Sequence, residues 1–374
     1  MITITLCMIV KNEEAFLARC LDSLEGLMDE IVIVDTGSTD RTKEIAAKYT
    51  DKVFDYKWID DFSDARNYSF SKSSMDYIYV ADADEVLDDA NRQEFMNLKQ
   101  CMDERIEIVQ MKYKNDIADN NVQNSVLEYR PKLFKRLRSF TWIDPVHETV
   151  RLEPVVFDSD IVINHCPAGV HSSRDFSIFE KCIRRGVGLS KRIRNMYARE
   201  LLIAGTKDNL CNALSYFCEI YESPDYDTDT RKEAACVLAR GFRLNDRPDD
   251  FFKYALKDMT ENSCSEICYE LGEYYFNRRD YEEAALWYYN AAFETECVLN
   301  IHASGDLALH GLADCYKSLY ESCSKPIDNS FIQPEDNAYL HQKDNTPTKK
   351  AQSYLEAYLK YKEMAENWSL PSEL

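Results

Sequence analysis

Asp82, Ala83, Asp84 and Glu85 follow the apolar run Tyr77 to Ala81. That run has the character of a buried β-strand, so the acids stand at the carboxyl edge of a sheet, where open α/β sheets bind ligands. Neighbouring carboxylates repel one another unless something positive neutralises them. A hard cation, Mg²⁺ or Mn²⁺, does so through oxygen ligands, takes one or two carboxylates from the protein and keeps positions for water or phosphate. Asp-x-Asp also caps helices; the preceding strand is what favours metal binding here.

Such a site needs a sheet to hold it. Residues 3–10 (TITLCMIV) and 31–35 (IVIVD) are short, β-branched and nearly continuously apolar, as strands buried on both faces are. Between them Phe16, Leu17, Cys20, Leu21 and Leu24 fall at helical spacing, which predicts an amphipathic helix within Glu14 to Leu27. A second helix carrying Ile45, Ala46 and Tyr49 follows Thr36-Gly37-Ser38-Thr39-Asp40. Strand and helix alternate over short links, which specifies an α/β domain with a mainly parallel, Rossmann-like sheet.

From about residue 195 the strand signals vanish. Leu271, Gly272, Tyr275, Ala284, Tyr288 and Ala291 have the spacing of a tetratricopeptide repeat, whose small residues let paired helices approach while aromatics fill the gap. Asn195 to Glu222 reads as an earlier helix pair, and Leu312 to Tyr358 as a later one interrupted by a loop over Ser322 to Thr348. Two domains are expected: a catalytic α/β domain over 1–180 and an all-α repeat domain over 181–374.

Composition excludes several classes. A net charge of −21 argues against a nucleic-acid partner, which needs stripes of Lys and Arg to release counterions. The local basic runs, Arg130 to Arg138 and Lys181 to Arg194, read as solvated faces or as contacts to a diphosphate or an acidic acceptor. Thirteen cysteines, an odd number without a secretion signal, read as reduced thiols, and Cys264 with Cys268 lacks a second pair for a zinc site. No stretch of about 20 apolar residues occurs, so no transmembrane segment is expected and a cytoplasmic location is. A homo-oligomer remains open.

Three blocks, Met8-Ile9-Val10-Lys11-Asn12-Glu13-Glu14, Val32-Ile33-Val34-Asp35-Thr36-Gly37-Ser38-Thr39-Asp40-Arg41-Thr42 and Asp82-Ala83-Asp84-Glu85, together resemble inverting family 2 glycosyltransferases of the glycosyltransferase A fold. The resemblance covers roughly the first 170 residues. Asp61-Phe62-Ser63-Asp64-Ala65-Arg66-Asn67, the Arg130 to Arg136 tract and Pro145-Val146-His147-Glu148 are similar to a subgroup with helical repeats, which includes lipopolysaccharide-core glucosyltransferases and bacteriocin S-glycosyltransferases. It implies a nucleotide sugar as donor, with UDP as the commoner carrier. Val10, Asn12 and Glu13 would meet the nucleoside, Asp35 the base or ribose, and Arg66 the diphosphate. Asp82 with Ala83 would border the ribose and ion, Asp84 would bind the ion, and His165 matches a histidine that completes the metal shell. On the acceptor side it implies Glu148 as general base, then Asp144, then His147. A protein, peptide or glycan acceptor would be recruited by the repeats, whose concave surfaces suit extended chains.

Each role has a plainer rival. Asp35 and Asp40 could cap the helix near Arg41, Arg66 could pair with Asp61 or Asp64, and His165 could be an ordinary buried histidine. A repeat scaffold that no longer catalyses would spare the fold, but the intact Asp35 and Asp82-Ala83-Asp84 weigh against it. A nucleotidyltransferase would need a glycine-rich phosphate loop after the first strand, where Lys11-Asn12-Glu13-Glu14 stands instead.

Overall fold

Strand β1 (Ile4–Val10) lies inside the sheet: it pairs in parallel with β2 (Glu30–Asp35) on one side and with β4 (Tyr77–Val80) on the other. In a computed structural model describing residues 1–115, 127–136, 142–147, 149–150, 155–166, 172–186, 188–257, 263–324 and 349–370, the remaining strands are β3 (Val53–Asp55), β5 (Glu85–Val86), β6 (Ile108–Asn115), β7 (Leu127–Lys135), β8 (Trp142–Ile143), β9 (Thr149–Val150) and β10 (Val156–His165). Eight of them form one sheet in the order β3-β2-β1-β4-β7-β6-β10-β5, and β8 pairs with β9 apart from it. The sheet is mixed, since β7 runs antiparallel to both β4 and β6, and β5 antiparallel to β10. The chain builds outward from β1 to β3 and then crosses back to β4. The carboxyl ends of β1, β2 and β4 therefore surround a topological switch point, which is where such sheets bind ligands.

Continuous apolar character in β1 reflects burial on both faces. Leu6 and Met8 join a core with Leu17, Cys20 and Leu21 of α1 (Leu17–Ser23) and Phe95 of α4 (Asp89–Cys101). Cys7 faces the other way, toward Val32, Val34 and Ile78, with Tyr68 and Phe70 of α3 (Phe62–Ser71) packed over them. Helices α2 (Thr42–Ala46) and α5 (Ser172–Arg184) complete this half.

The chain divides into two compact units, Met1–Arg194 and Asn195–Glu373. Sequence places the division near residue 180; α5 is held within the first unit, where its Lys181 (2.6 Å) and, just past its end, Arg185 (3.2 Å) bind Asp60. The second unit is helical among the described residues. Its helices include Lys207–Glu222, Thr228–Leu244, Pro248–Leu256, Ser265–Asn277, Tyr281–Tyr289, Asp306–Ser324 and Lys349–Glu366. Within it, Ser265–Asn277 and Tyr281–Tyr289 form the helix pair expected of a repeat, closed at the turn by Asp280, which accepts from the Glu283 N–H at 3.3 Å. Gly272 and Gly311 both lie against the Tyr288 ring: a Cβ on either would come within 2.6 or 2.7 Å of it. Small residues thus let the helices close onto an aromatic, as the repeat spacing requires. Beyond Ser324 the expected loop lies outside the described residues up to 348. No described helix is long and apolar enough to cross a membrane.

Candidate active site

The loops after β1 and β2 are tied to each other. Thr36 donates its N–H (3.0 Å) and hydroxyl (3.2 Å) to the carbonyl of Val10. Asn12, at φ 57°, donates its N–H to Ser38 Oγ (2.9 Å) and accepts the Thr39 N–H on Oδ1 (2.8 Å). Asparagine tolerates this left-handed backbone better than most residues. Glu13 donates its N–H to Thr42 Oγ1 at 2.7 Å. Asp35, 2% exposed, accepts the N–H groups of Gly37 and Ser38 on Oδ1, both at 2.9 Å, across a turn that Gly37 makes possible at φ 107°. Its Oδ2 is buried without a hydrogen-bond partner. Asp40 is the residue that serves the start of α2, through the Thr42 N–H at 3.0 Å; Asp35 is left with one free acceptor.

Helix α3 brings a cation to the end of β4. Asp61 caps it by accepting the Asp64 N–H (3.1 Å), Asp64 itself accepts from the Tyr56 hydroxyl, and Arg66 stands one turn in. The Arg66 guanidinium, 9% exposed as a residue, donates from Nη2 to Asp82 Oδ1 at 3.2 Å and lies 5.3 Å from the centroid of Trp142. Burial would raise the pKa of Asp82, but Arg66, Lys132 and Arg130 outweigh it and hold the carboxyl well below its ordinary value. Asp82 is therefore ionised and partly open, its side chain 44% exposed.

Asp84 and His165 are far apart in sequence and adjacent in space. Strand β10 pairs antiparallel with β5 so that His165 opposes Glu85, and the Cys166 N–H donates to the Asp84 carbonyl at 3.0 Å. That register brings His165 Nε2 to 3.2 Å from Asp84 Oδ2. Ala83, between the two aspartates, is buried. Glu85 turns the other way. It is 2% exposed, ion-paired with the buried Lys132, and its pKa is raised because burial exceeds the pull of Lys132. Of the three acids, two face the site and one is core. Lys132 correspondingly leaves the solvated face that its basic run suggests, and Arg130 lies over the Tyr113 ring at 3.9 Å.

Glu13 registers the surplus of negative charge: half-buried, it is pushed up to about 7, first by burial and then by the charges of Asp84 and Asp82. Asp82, Asp84 and the His165 imidazole offer oxygen and nitrogen donors of the types that divalent cations take, and Glu13 beside them is an acid disfavoured in its charged form.

The Pro145 to Glu148 segment, expected on the acceptor side, is described in part. Glu148 lies outside the described residues. Asp144 (φ 71°) and His147 (φ 49°) both take left-handed backbone, a conformation that persists where surroundings impose it. Arg192 supplies part of that constraint, donating from Nη2 to Asp144 Oδ2 (2.8 Å) and to the His147 carbonyl (2.5 Å), and the His147 ring stacks on Phe179 at 6.1 Å. Nothing in the residue pattern around Asp144 marks Arg192 as its partner; Trp142, buried against Arg66, is likewise found only in the structure.

Residues 5–150 match the family model of Glycosyl transferase family 2. Among curated relatives, a TPR repeat-containing protein of Synechococcus elongatus is 46% identical over 87 residues, 23% of this chain and 22% of that protein. The prophage-derived glycosyltransferase SunS of Bacillus subtilis is 37% identical over 92 residues, 24% of this chain and 22% of its own length. The lipopolysaccharide core biosynthesis glycosyltransferase LpsC of Rhizobium meliloti is 35% identical over 97 residues, 25% of this chain and 36% of its own. The chain thus spans well under half the length of these relatives. Glucosyl-3-phosphoglycerate synthase from Mycobacterium tuberculosis, solved with Mg²⁺ and UDP, aligns with TM-score 0.36 and 16% identity over 50% of this chain and 81% of that one; the fold assignment rests on the strand order and the family match.

Proposed function

We propose that this chain, whose first unit carries a family 2 glycosyltransferase domain of the glycosyltransferase A fold ahead of tetratricopeptide-like helices, transfers a sugar from a nucleoside diphosphate sugar, most simply a UDP-sugar, to a protein, peptide or glycan acceptor with inversion. The observation that carries this reading is the pairing of Arg66 with Asp82 and of His165 with Asp84 at the switch point of the sheet.

In this reading Asp35 Oδ2 accepts a hydrogen bond from the base or ribose, beside the Val10, Asn12 and Glu13 loop. Asp84, His165 and Asp82 hold Mn²⁺ or Mg²⁺, which when bound offsets the charge that develops on the leaving diphosphate. Arg66 adds a fixed guanidinium next to the same charge. On the far side of the anomeric carbon, a carboxylate takes the acceptor's proton as the new glycosidic bond forms and the bond to the diphosphate breaks. Glu148 is proposed for that step; Asp144 is second because Arg192 already engages its Oδ2, and His147 third.

A thermal-shift and hydrolysis screen across nucleotide sugars, with Mn²⁺ and with EDTA, tests the proposal. Stabilisation by one nucleotide sugar, present with Mn²⁺ and lost with EDTA or in Asp84→Asn, is the expected result. Equal affinity in both conditions would remove the ion from the scheme, and no response to any nucleotide sugar would remove the transferase reading.

A further inference from the structure

The helical unit contains a buried group of side chains that the transferase reading does not use. Cys236, within the helix Thr228–Leu244, and Cys264, the residue before the helix Ser265–Asn277, are both fully buried and bring their Sγ atoms to 3.4 Å. Glu266, 3% exposed, completes the group: one atom from each of the three residues lies within 4.8 Å of the others. The two carboxylate oxygens of Glu266 have different surroundings. Oε1 accepts three backbone N–H groups, from Val298 (2.8 Å), Leu299 (2.6 Å) and Asn300 (2.8 Å). Oε2 is buried with no hydrogen-bond partner. A carboxylate oxygen without a donor inside a protein is costly, and the carboxyl group that carries it stands beside two thiols.

We propose that Cys236, Cys264 and Glu266 bind one zinc ion within the helical unit. The donor types select the metal. Cuprous ions and iron–sulfur clusters favour sulfur throughout, and Mg²⁺, Ca²⁺ and Mn²⁺ favour oxygen throughout, whereas zinc takes thiolate and carboxylate together. Zinc–sulfur bonds of about 2.3 Å in a tetrahedron put two sulfurs about 3.8 Å apart, so the 3.4 Å separation needs to open only slightly. On binding, each thiol gives its proton to solvent and each sulfur bonds the ion, leaving one coordination position to water. The ion joins the helix Thr228–Leu244 to the start of Ser265–Asn277, and Glu266 extends the link to residues 298–300 through its three N–H bonds.

The test uses the full chain, purified under reducing conditions without chelator. Elemental mass spectrometry should find about one zinc per chain, unchanged in Asp84→Asn, which removes the oxygen-rich site of the first unit. Cys236→Ser and Cys264→Ser should lose it. Glu266→Gln keeps an oxygen for the three N–H groups but not the charge, so it should fold as wild type and bind zinc at least about tenfold more weakly. Cobalt added to metal-free chain should give a thiolate-to-metal charge-transfer band in wild type and none in Cys236→Ser. A wild-type chain with both thiols reduced that holds no zinc and gives no cobalt band overturns the proposal, as does full zinc content in Cys236→Ser or a disulfide between the two cysteines. Because the readouts concern only the helical unit, a failed nucleotide-sugar screen leaves this result standing, and the converse.

Discussion

Asp35 separates two roles that are usually entangled, because its two oxygens do different things. Oδ1 holds the turn after β2 through the Gly37 and Ser38 N–H groups, each at 2.9 Å, while Oδ2 is buried without a partner. Asp35→Asn keeps an oxygen for the turn and replaces the free oxygen with an amide NH₂, a donor where the proposed base or ribose also donates. Stability should change by less than about 1 kcal/mol. Donor affinity should fall by the worth of a hydrogen bond to a charged acceptor, about 1.5–3 kcal/mol, or roughly 10- to 150-fold. Asp35→Ala removes both turn bonds as well, from the exposed Gly37 and the half-buried Ser38, which costs about 1–3 kcal/mol. For a unit of this size that lowers the melting temperature by about 2–12 °C. Calorimetric titration with the nucleotide sugar, paired with thermal denaturation of both variants, reads the two effects separately. The reasoning fails if Asp35→Asn binds donor as tightly as wild type, or if it destabilises the protein as much as Asp35→Ala.

Glu148→Gln should lower turnover by about 10²- to 10⁴-fold with donor affinity unchanged; steady-state kinetics beside Asp144→Asn check this, and loss confined to Asp144→Asn would move the base there. Glu30 gives an acid limit to stability: burial raises its pKa, but bonds from Lys52, Thr5 and Ser74 outweigh burial and bring it from 4.5 to about 2. A depressed carboxyl stabilises the fold above its unfolded pKa, so about 3 kcal/mol should be present above pH 4.5 and lost as pH falls toward 2. Urea unfolding of wild type and Glu30→Gln across that window should show a steeper slope in wild type, the difference being the share of Glu30, since other depressed carboxyls such as Asp82 and Asp76 titrate in both. Gly272→Ala should destabilise the helical unit by about 1–3 kcal/mol, because its Cβ meets Tyr288 at 2.6 Å and the same ring is also closely approached by Gly311. Gly188→Ala, with nothing within 4 Å of the added carbon, is the control, and equal melting temperatures would refute the packing argument.

What was legible in the sequence is what a buried parallel strand makes visible. Leu6 and Cys7 serve opposite faces of β1 and both must be apolar, so the strand stands out as an unbroken run, and the acids after Tyr77–Val80 inherit their place from it. Repeat spacing around Tyr288 was legible for a similar reason, since small residues at fixed offsets have one packing use. Direction of side chains was harder to read. Glu85 follows Asp84 directly, yet it is core with Lys132 as its partner, because a strand starts there and alternation turns it inward. The antiparallel insertion of β7 between β4 and β6 depends on long-range pairing that periodicity does not encode. Left-handed backbone at Asp144 was hidden for another reason: the Arg192 side chain that bonds its carboxylate is 48 residues away, and a residue before proline is expected in the extended region, not at φ 71°.

The two sides of the site are joined by α3, and the helical period explains how. Phe62, Arg66 and Phe70 are spaced by four and so share a face. At the first of these positions the Phe62 N–H donates to the Pro145 carbonyl at 2.9 Å. At the second, Arg66 reaches Asp82. At the third, Phe70 packs edge-on against Trp142 with centroids 5.9 Å apart. Asn67 adds a clamp, accepting the Trp142 N–H (2.9 Å) and donating to its carbonyl (3.2 Å). The guanidinium that neutralises Asp82 is therefore fixed on the same rigid element that anchors Trp142 and Pro145, between which Asp144 lies. Each residue in a helix turns the next by about 100°, so the spacing of Phe62, Arg66 and Phe70 is what lets one helix set the Arg66 guanidinium and the Trp142 to Pro145 segment in a single register. That coupling gives a physical reason for the Asp61-Phe62-Ser63-Asp64-Ala65-Arg66-Asn67 tract to act as a unit: its cap fixes where the helix starts, and the start fixes which side of the site each later residue meets.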